Sequence, residues 1–336
     1  MSNGKFVISL DFELFWGVRD TQTVGGYGRN VLGEWQAVPR MLALFRHHRI
    51  NVTWATVGAV MCRDYAQWRS LRPDGDIHSE DDLVQEHPRL FFARPLVERI
   101  LETYGQELAT HTYSHFYCSG EGATLDRFAA DLRCARAISA EMGASFQSIV
   151  FPRNQIVKEF LAVLPAAGIR VYRGNAQHWL YRNGDAVPGG KLGRAVRYAD
   201  AILPLSGSGC RHEQVEDGLV NVPASMFLYA WSPVVQPLAV LRLRRIKQGM
   251  TAAARTGAIF HLWWHPHNFG VNLELNLAIL AEVLRHYRYL ADKYGMQSQC
   301  MGEFAGMANA RPAAPRPQRV PGAGAQVHEL FQRSAR

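Results

Sequence analysis

The feature that most constrains this chain is an alternation, sustained over most of its length, of short β-branched or aromatic runs with longer helical patterns. KFVISLDF (5–12), INVTWATVG (50–58), QELATHT (106–112), FQSIVFP (146–152), GIRVYRG (168–174) and TGAIFHLWW (256–264) have the composition of buried strands. Between and after them come AVPRMLALFRHH (37–48), PLVERILETYG (95–105), TLDRFAADLRCARAISAEMG (124–143), a shorter helical stretch over 155–167, and LELNLAILAEVLRHYRYLADKYG (273–295). Thr124 and Gly143 read as the N-cap and C-cap of the third helix. Strands separated by helices of this length predict parallel βα units. About six or seven such units follow one another with no linker in the middle. The expected fold class is therefore α/β: parallel βα units with loop insertions, closed into a single barrel domain over residues 1–304.

Two segments break the rhythm. Residues 63–94 are polar with an acidic centre and read as a long loop insertion. Residues 175–215 are rich in Gly, Arg and Tyr and read as irregular or short antiparallel structure. Long loops of an α/β enzyme usually shape the mouth of its site. Residues 305–336, rich in Pro, Ala and Arg, lack the apolar content to repay ordering and are expected to form a flexible tail.

The net charge is +8, from 37 Lys and Arg against 29 Asp and Glu. Arg311, Arg316, Arg319, Arg333 and Arg336 against Glu329 place half of that excess in the tail. The body shows no basic stripe with interleaved stacking aromatics, so a nucleic-acid module is not expected. Cys62, Cys118, Cys134, Cys210 and Cys300 are scattered and odd in number, which argues against a disulfide scaffold. No leader pattern is visible near Met1, and a cytoplasmic location is the expectation. Residues 219–241 carry no charge and RLRRIK follows at once, while Pro223, Pro233 and Pro237 argue against a spanning helix. The stretch reads as core leading into an amphipathic helix, or else as an apolar groove or interfacial patch beside a basic cluster, which would suit contact with the inner face of a membrane.

Four short stretches carry candidate chemistry. In SLDFE, Asp11 and Glu13 lie two apart at a strand end, on one side of the strand and at the face where barrel enzymes keep their sites. In ELATHTYSH, His111 and His115 are four apart, and a helical turn there would put both imidazoles on one face. Two imidazoles and a carboxylate make a three-ligand site for a divalent metal, by default Zn²⁺, with Co²⁺, Ni²⁺ or Fe²⁺ also suited. In FHLWWHPHNF, His261 reads as a core histidine, while His265 and His267 stand at the strand exit, where a proton donor would sit. Trp263 and Trp264 read either as a stacking platform or as core. In SIVFPRN, Arg153 follows a strand and a proline and can hold a carboxylate through its fork of donors.

Taken together, LDFE, THTYSH, VFPRN and the late histidine strand resemble the polysaccharide deacetylase family, the NodB-homology domain of carbohydrate esterase family four. The order and spacing match over residues 5–295, with NVTWATVG similar to the family's second strand. The resemblance implies a distorted (β/α) barrel of seven or eight parallel strands and divalent-metal hydrolysis of an amide, and the spacing Asp11-Phe-Glu13 is similar to a D-x-E branch. It makes Asp11 the base, Glu13, His111 and His115 the metal ligands, and His265 the proton donor. The family's third motif has Arg two residues before its proline. Val150 stands there, so Arg153 is expected to supply that guanidinium from the other side. The fourth motif, an acid that orients the histidine, has Asp200 or Asp217 as its only candidates. The implied activity is removal of an N-acyl group from an amino sugar, with a saccharide substrate that is nucleotide-linked or lipid-linked. Two other readings stand beside it: hydrolysis of a formamide, cyclic imide or ureide, and a degenerate barrel acting as a scaffold.

Overall fold

The computed structural model describes residues 3–73, 81–176, 207–233 and 236–309. A curled sheet runs through them in the order β6-β7-β5-β4-β3-β2-β1-β9-β8, with β10 beside β1. Its strands are β1 (Lys5–Phe12), β2 (Val52–Thr56), β3 (Gln106–Thr110), β4 (Ser148–Ile149), β5 (Val171–Gly174), β6 (Gln214–Glu216), β7 (Leu219–Pro223), β8 (Met226–Phe227), β9 (Ile259–Trp264) and β10 (Gln297–Gln299). Every pairing is parallel except β6 with β7. The α/β barrel expected from the alternation is therefore present, but as an open, curled sheet with β6 and β8 at its ends rather than a closed ring.

β1 is the hub. Its start, Lys5–Val7, pairs with β10, its end, Ser9–Phe12, with β2, and Lys5–Leu10 with β9. Period-two alternation explains how one strand serves two environments. Phe6, Ile8, Leu10 and Phe12 belong to the large outer core under the helices. Val7 belongs to an inner core with Ala55, Ala109, Val150, Val171 and Val222. Ser9 and Asp11 follow Val7 at the same spacing, so the inner side turns from apolar to polar toward the strand end. Met301 and Phe304 complete the inner core from below. They lie on the short 3₁₀ helix Met301–Asn309, so packed structure runs past the expected boundary at 304. The rest of the expected tail, from 310, lies outside the described residues.

The helices behave as their end signals predict. The helix Leu125–Glu141 starts at Thr124, whose side chain accepts a hydrogen bond from the Arg127 N–H, and Gly143 is left-handed at its exit. Leu273–Tyr294 ends at left-handed Gly295. Two expectations fail. Residues 63–94 hold helices Tyr65–Leu71, Asp81–Glu86 and Pro88–Phe91 rather than a loop, because Trp68, Val84, Leu90 and Phe91 each bury an apolar face. The stretch 155–167 keeps only the single turn Lys158–Leu161. Within 219–241 the outcome is core and helix, as expected: the apolar run makes β7 and β8, and the helix Gln236–Thr256 follows. The insertion 175–215 lies mostly outside the described residues, although β6 supplies the expected antiparallel piece. None of the described helices is long and apolar enough to cross a membrane.

Candidate metal centre

The inner face of the sheet ends in a ring of polar side chains. Glu13 lies just past β1 and caps the 3₁₀ turn Leu14–Gly17. A Cβ at Gly17 would fall inside the Glu13 carboxyl, so only glycine leaves that carboxyl its space. His111 follows β3, and Thr112 and His115 both have positive φ, at 63° and 60°. The turn is therefore not the helical one that the four-residue spacing suggested. It is a loop bent through two left-handed residues, a conformation disfavoured for non-glycine side chains and held only by its surroundings. Asp131 supplies the hold. Its buried carboxylate accepts from the Tyr113 N–H at 2.6 Å, the Ser114 N–H at 3.0 Å and the Ser114 hydroxyl at 2.6 Å.

Bent this way, the loop points two imidazoles at one carboxylate. His111 Nε2 lies 3.3 Å and His115 Nε2 3.1 Å from Glu13 Oε2. One ligand atom from each of the three residues falls within 4.8 Å of the others, and all three side chains are buried. His111 Nδ1 lies 2.8 Å from the Val150 carbonyl. A carbonyl only accepts, so Nδ1 carries the proton and Nε2 presents its lone pair. That Nε2 is buried without a hydrogen-bond partner. An orphaned imidazole nitrogen facing an ionised carboxylate, its ring fixed from behind by a backbone acceptor, is the donor arrangement of a divalent-metal site. The residues fit the metal that the motif spacing suggested. Burial alone would raise the Glu13 carboxyl, but His265, His111 and His115 more than offset it and hold it well below the usual carboxylate range. Burial pushes the His115 imidazole down to about 4, keeping it neutral.

Asp11 stands beside this cluster. Its carboxylate is gripped from both sides by the buried guanidinium of Arg173, with Nη1 donating to Oδ1 at 2.6 Å and Nη2 to Oδ2 at 2.8 Å. Nη1 also donates to the Ser9 hydroxyl and Nη2 to the Asn154 side-chain oxygen. The Arg173 guanidinium lies 4.2 Å from the Trp263 ring centroid. Burial works against ionisation of Asp11, and the opposing effect of Arg173, with His111 and His265, leaves its carboxyl below the usual value. Behind them, His261 Nε2 accepts from Ser9 Oγ at 2.8 Å, with Nδ1 facing the Val222 carbonyl. Burial, aided by the Arg173 charge, takes His261 down to about 3. It is the core histidine that its position inside the strand suggested.

His265 reaches the same place from β9. Its Nε2 is 3.7 Å from Asp11 Oδ2 and 3.6 Å from Glu13 Oε1, and its side chain is 24% exposed. The His267 ring stacks on it at 4.9 Å and 6°. His267 itself is buried, 3.9 Å from Glu13 Oε1, and pushed down to about 3 by burial and then by His265. Trp263 and Trp264 separate by the alternation of the strand. Trp264 packs against Phe45 and Phe269 in the outer core, and half-buried Trp263 meets Phe227 and His265 at the mouth.

Arg153 is not brought to Asp11. Its guanidinium holds Asp20 at 2.6 Å and lies 4.8 Å from the centroid of the Tyr117 ring at the rim. Pro152 and two left-handed residues, Arg153 and Asn154, turn the chain outward there, so the guanidinium expected from Arg153 comes from Arg173 instead. Asp217 is also removed from the site. It is exposed and left-handed, followed by left-handed Gly218, in the tight turn joining β6 to β7 at the opposite end of the strands. Asp200 lies outside the described residues. Sequence reasoning missed Arg173 and Asp131, and both left a trace. Arg173 is the cation two residues after Val171 at the end of an apolar strand. Asp131 is an acid on the buried stripe of its helix, three after Phe128.

No family model matches the sequence, and no curated protein matches it. Solved structures do match the fold. A "putative polysaccharide deacetylase" from Mycobacterium smegmatis aligns with a TM-score of 0.62 at 16% identity, covering 96% of this chain and 95% of its own. A "probable polysaccharide deacetylase" from Pseudomonas aeruginosa PAO1 aligns at 0.55 and 10% identity, covering 90% of each chain. PuuE allantoinase aligns at 0.55 and 10% identity, covering 92% of this chain and 91% of its own. The chain has the fold these proteins share. At such identities the likeness speaks for fold alone, and the chemistry has to be argued from the residues.

Proposed function

We propose that this protein is a metal-dependent amide hydrolase of the polysaccharide deacetylase (NodB-homology) family that removes an N-acyl group from an amino sugar. The observation that carries the reading is the convergence of His111, His115 and Glu13, with His111 Nε2 buried, unpartnered and fixed by its other nitrogen. A divalent ion held there supplies Lewis acidity that polarises an amide carbonyl and acidifies water. Everything else falls to the chain. Asp11, kept ionised and oriented by the Arg173 fork, accepts the proton of the attacking water at Oδ2. His265 Nε2, between the two carboxylates, delivers a proton to the leaving nitrogen, and the stacked His267 ring sets its plane. The half-buried Trp263 offers a sugar ring an aromatic face beside His265.

The substrate we favour is a nucleotide-linked or lipid-linked acetamido sugar. A second reading, hydrolysis of a cyclic imide or ureide, draws on the allantoinase among the structural neighbours and uses the same residues. Purified protein assayed for stoichiometric metal, then for acetate release from acetamido sugars and ring opening of hydantoin and allantoin, separates the two. A metal-free protein would favour a scaffold. Wild-type hydrolysis by Asp11→Asn would refute the mechanism.

A further inference from the structure

The helices Gln236–Thr256 and Leu273–Tyr294 lie side by side on the outside of the sheet. Lys247 Nζ reaches Glu282 at 2.9 Å, Thr251 Oγ1 meets His286 Nε2 at 3.0 Å, and Arg255 meets the Tyr294 hydroxyl at 3.4 Å. Those contacts advance together along both chains, so the helices run parallel. Each follows the end of a strand, β8 in one case and β9 in the other. Their N-terminal ends therefore sit at the face that carries Asp11, Glu13 and His265.

That end carries uncovered apolar side chains, and the one carboxylate in the first turn of the second helix, Glu274, is held by Arg40. Val240 is 73% exposed, Leu241 43% and, on the second helix, Leu275 44%. Scattered exposed leucines are ordinary, but these stand at the mouth. The connection is a run of ring contacts. The His265 ring is 5.7 Å from Phe227, Phe227 is 4.9 Å from Tyr229, and the Arg242 guanidinium lies 5.9 Å from the Tyr229 centroid on the helix that bears Val240. Behind the apolar end, the same surface is a shallow groove lined by Val240, Leu243, Arg244, Lys247, Arg255 and His286, with no carboxylate in its lining. Glu282 neutralises Lys247 from the side. Arg244 and Arg255 make no ion pair with a described residue.

An apolar tip backed by an unneutralised cation, Arg244, is complementary to one kind of surface: hydrocarbon beneath a layer of negative headgroups. We propose that the mouth-side end of this helix pair docks on an anionic lipid bilayer, with Val240 and Leu241 entering the interface and Arg244, one turn behind them, meeting the phosphates. The docking stands on this surface alone. Its bearing on substrate, that the mouth opens toward a lipid-linked amino sugar at the membrane, rests on the function proposed above.

The test is co-sedimentation of the full chain with vesicles of phosphatidylcholine, alone or with about 30% phosphatidylglycerol. Wild-type protein is expected to pellet with the anionic vesicles and to be released by high salt. Val240→Asp/Leu241→Asp should weaken binding about tenfold or more, and Arg244→Gln about fivefold, with unchanged melting temperatures. Leu125→Asp, which alters an equally exposed leucine elsewhere, should bind as wild type. A full chain with Arg311, Arg316, Arg319, Arg333 and Arg336 changed to Ser should keep most of its binding. Failure of the wild type to pellet would overturn the proposal. So would wild-type binding by the Val240/Leu241 variant, or loss of binding only when the arginines at 311–336 are replaced. None of these readings requires activity, so a failed docking face and a failed hydrolase reading are told apart.

Discussion

Replacing Arg173 with Met tests the electrostatic core of the site. The guanidinium is fully buried and donates to both oxygens of Asp11, which is buried as well. Removing one partner of such a pair leaves an uncompensated charge, at about 3–5 kcal/mol. With an unfolding entropy of about 2.1 cal/mol/K per residue, roughly 300 packed residues give about 0.6 kcal/mol/K, so the melting temperature should fall by about 5–8 °C. Asp11→Asn alone strands the guanidinium and should destabilise for the same reason. The double variant Asp11→Asn/Arg173→Met removes both charges, and the cycle should show a coupling of at least about 1 kcal/mol, with the double variant more stable than the sum of the singles requires. Urea denaturation of the four proteins measures it. If the two single losses simply add, Arg173 contributes through packing against Trp263 rather than through charge, and the account of Asp11 as an arginine-held base is wrong.

Arg153→Ala should behave differently, because its ion pair with Asp20 is half-exposed. Its stability should change by less than about 1 kcal/mol and its hydrolysis rate by less than about threefold, whereas Arg173→Met should lose about a hundredfold through misplacement of Asp11. His111→Ala should abolish retention of metal through dialysis, read by elemental analysis. Metal at about a hundred times its Kd should raise the stability of the wild type by about 2.7 kcal/mol and leave the variant unmoved. Glu34 gives a pH test. Its carboxyl is buried with both oxygens unpartnered, and burial, then the Glu13 charge, raises it well above the usual value. The folded chain therefore keeps a proton that the unfolded chain releases near pH 4.3. Stability is lost as pH rises from there toward the folded value. Glu34→Gln should be more stable than wild type at pH 8, the gap closing toward pH 4, and a gap of the opposite sign would refute the assignment. Asp131→Asn, which keeps one acceptor oxygen for three donors, should cost about 2–3 kcal/mol and lower metal affinity.

The parts legible in the sequence were those set by short-range pattern. Parallel βα units, Thr124 and Gly143 as caps, and the placement of Asp11, Glu13, His111 and His265 at strand ends all follow from periodicity and local chemistry. What the pattern hid was set at long range. The spacing of His111 and His115 suggested a helical turn, yet the turn is decided by Asp131, a partner on another element. Arg153 looked suitable because it follows VFP, but two left-handed residues aim it at Asp20. Arg173 takes its role because alternation from Val171 turns it inward, across the sheet from Asp11. The helices in 63–94 were concealed because a polar, acidic centre outweighs a few aromatic anchors when only composition is read.

The position of β1 as the shared neighbour of β2, β9 and β10 also sets an order of events during synthesis. Glu13, His111 and His115 exist as soon as the third strand has left the ribosome, so a nascent chain can offer ligands to a metal early. Its two flanking supports come far later: His265 arrives with β9, and β10 is added only near residue 299. Until then one edge of β1 and the acids at its end stay uncovered. A stalled or prematurely ended product would carry a metal-binding half-site without the histidine that serves it, bordered by an open strand edge. Chains stopped before residue 259 should thus be the aggregation-prone ones, and those that pass residue 299 should not.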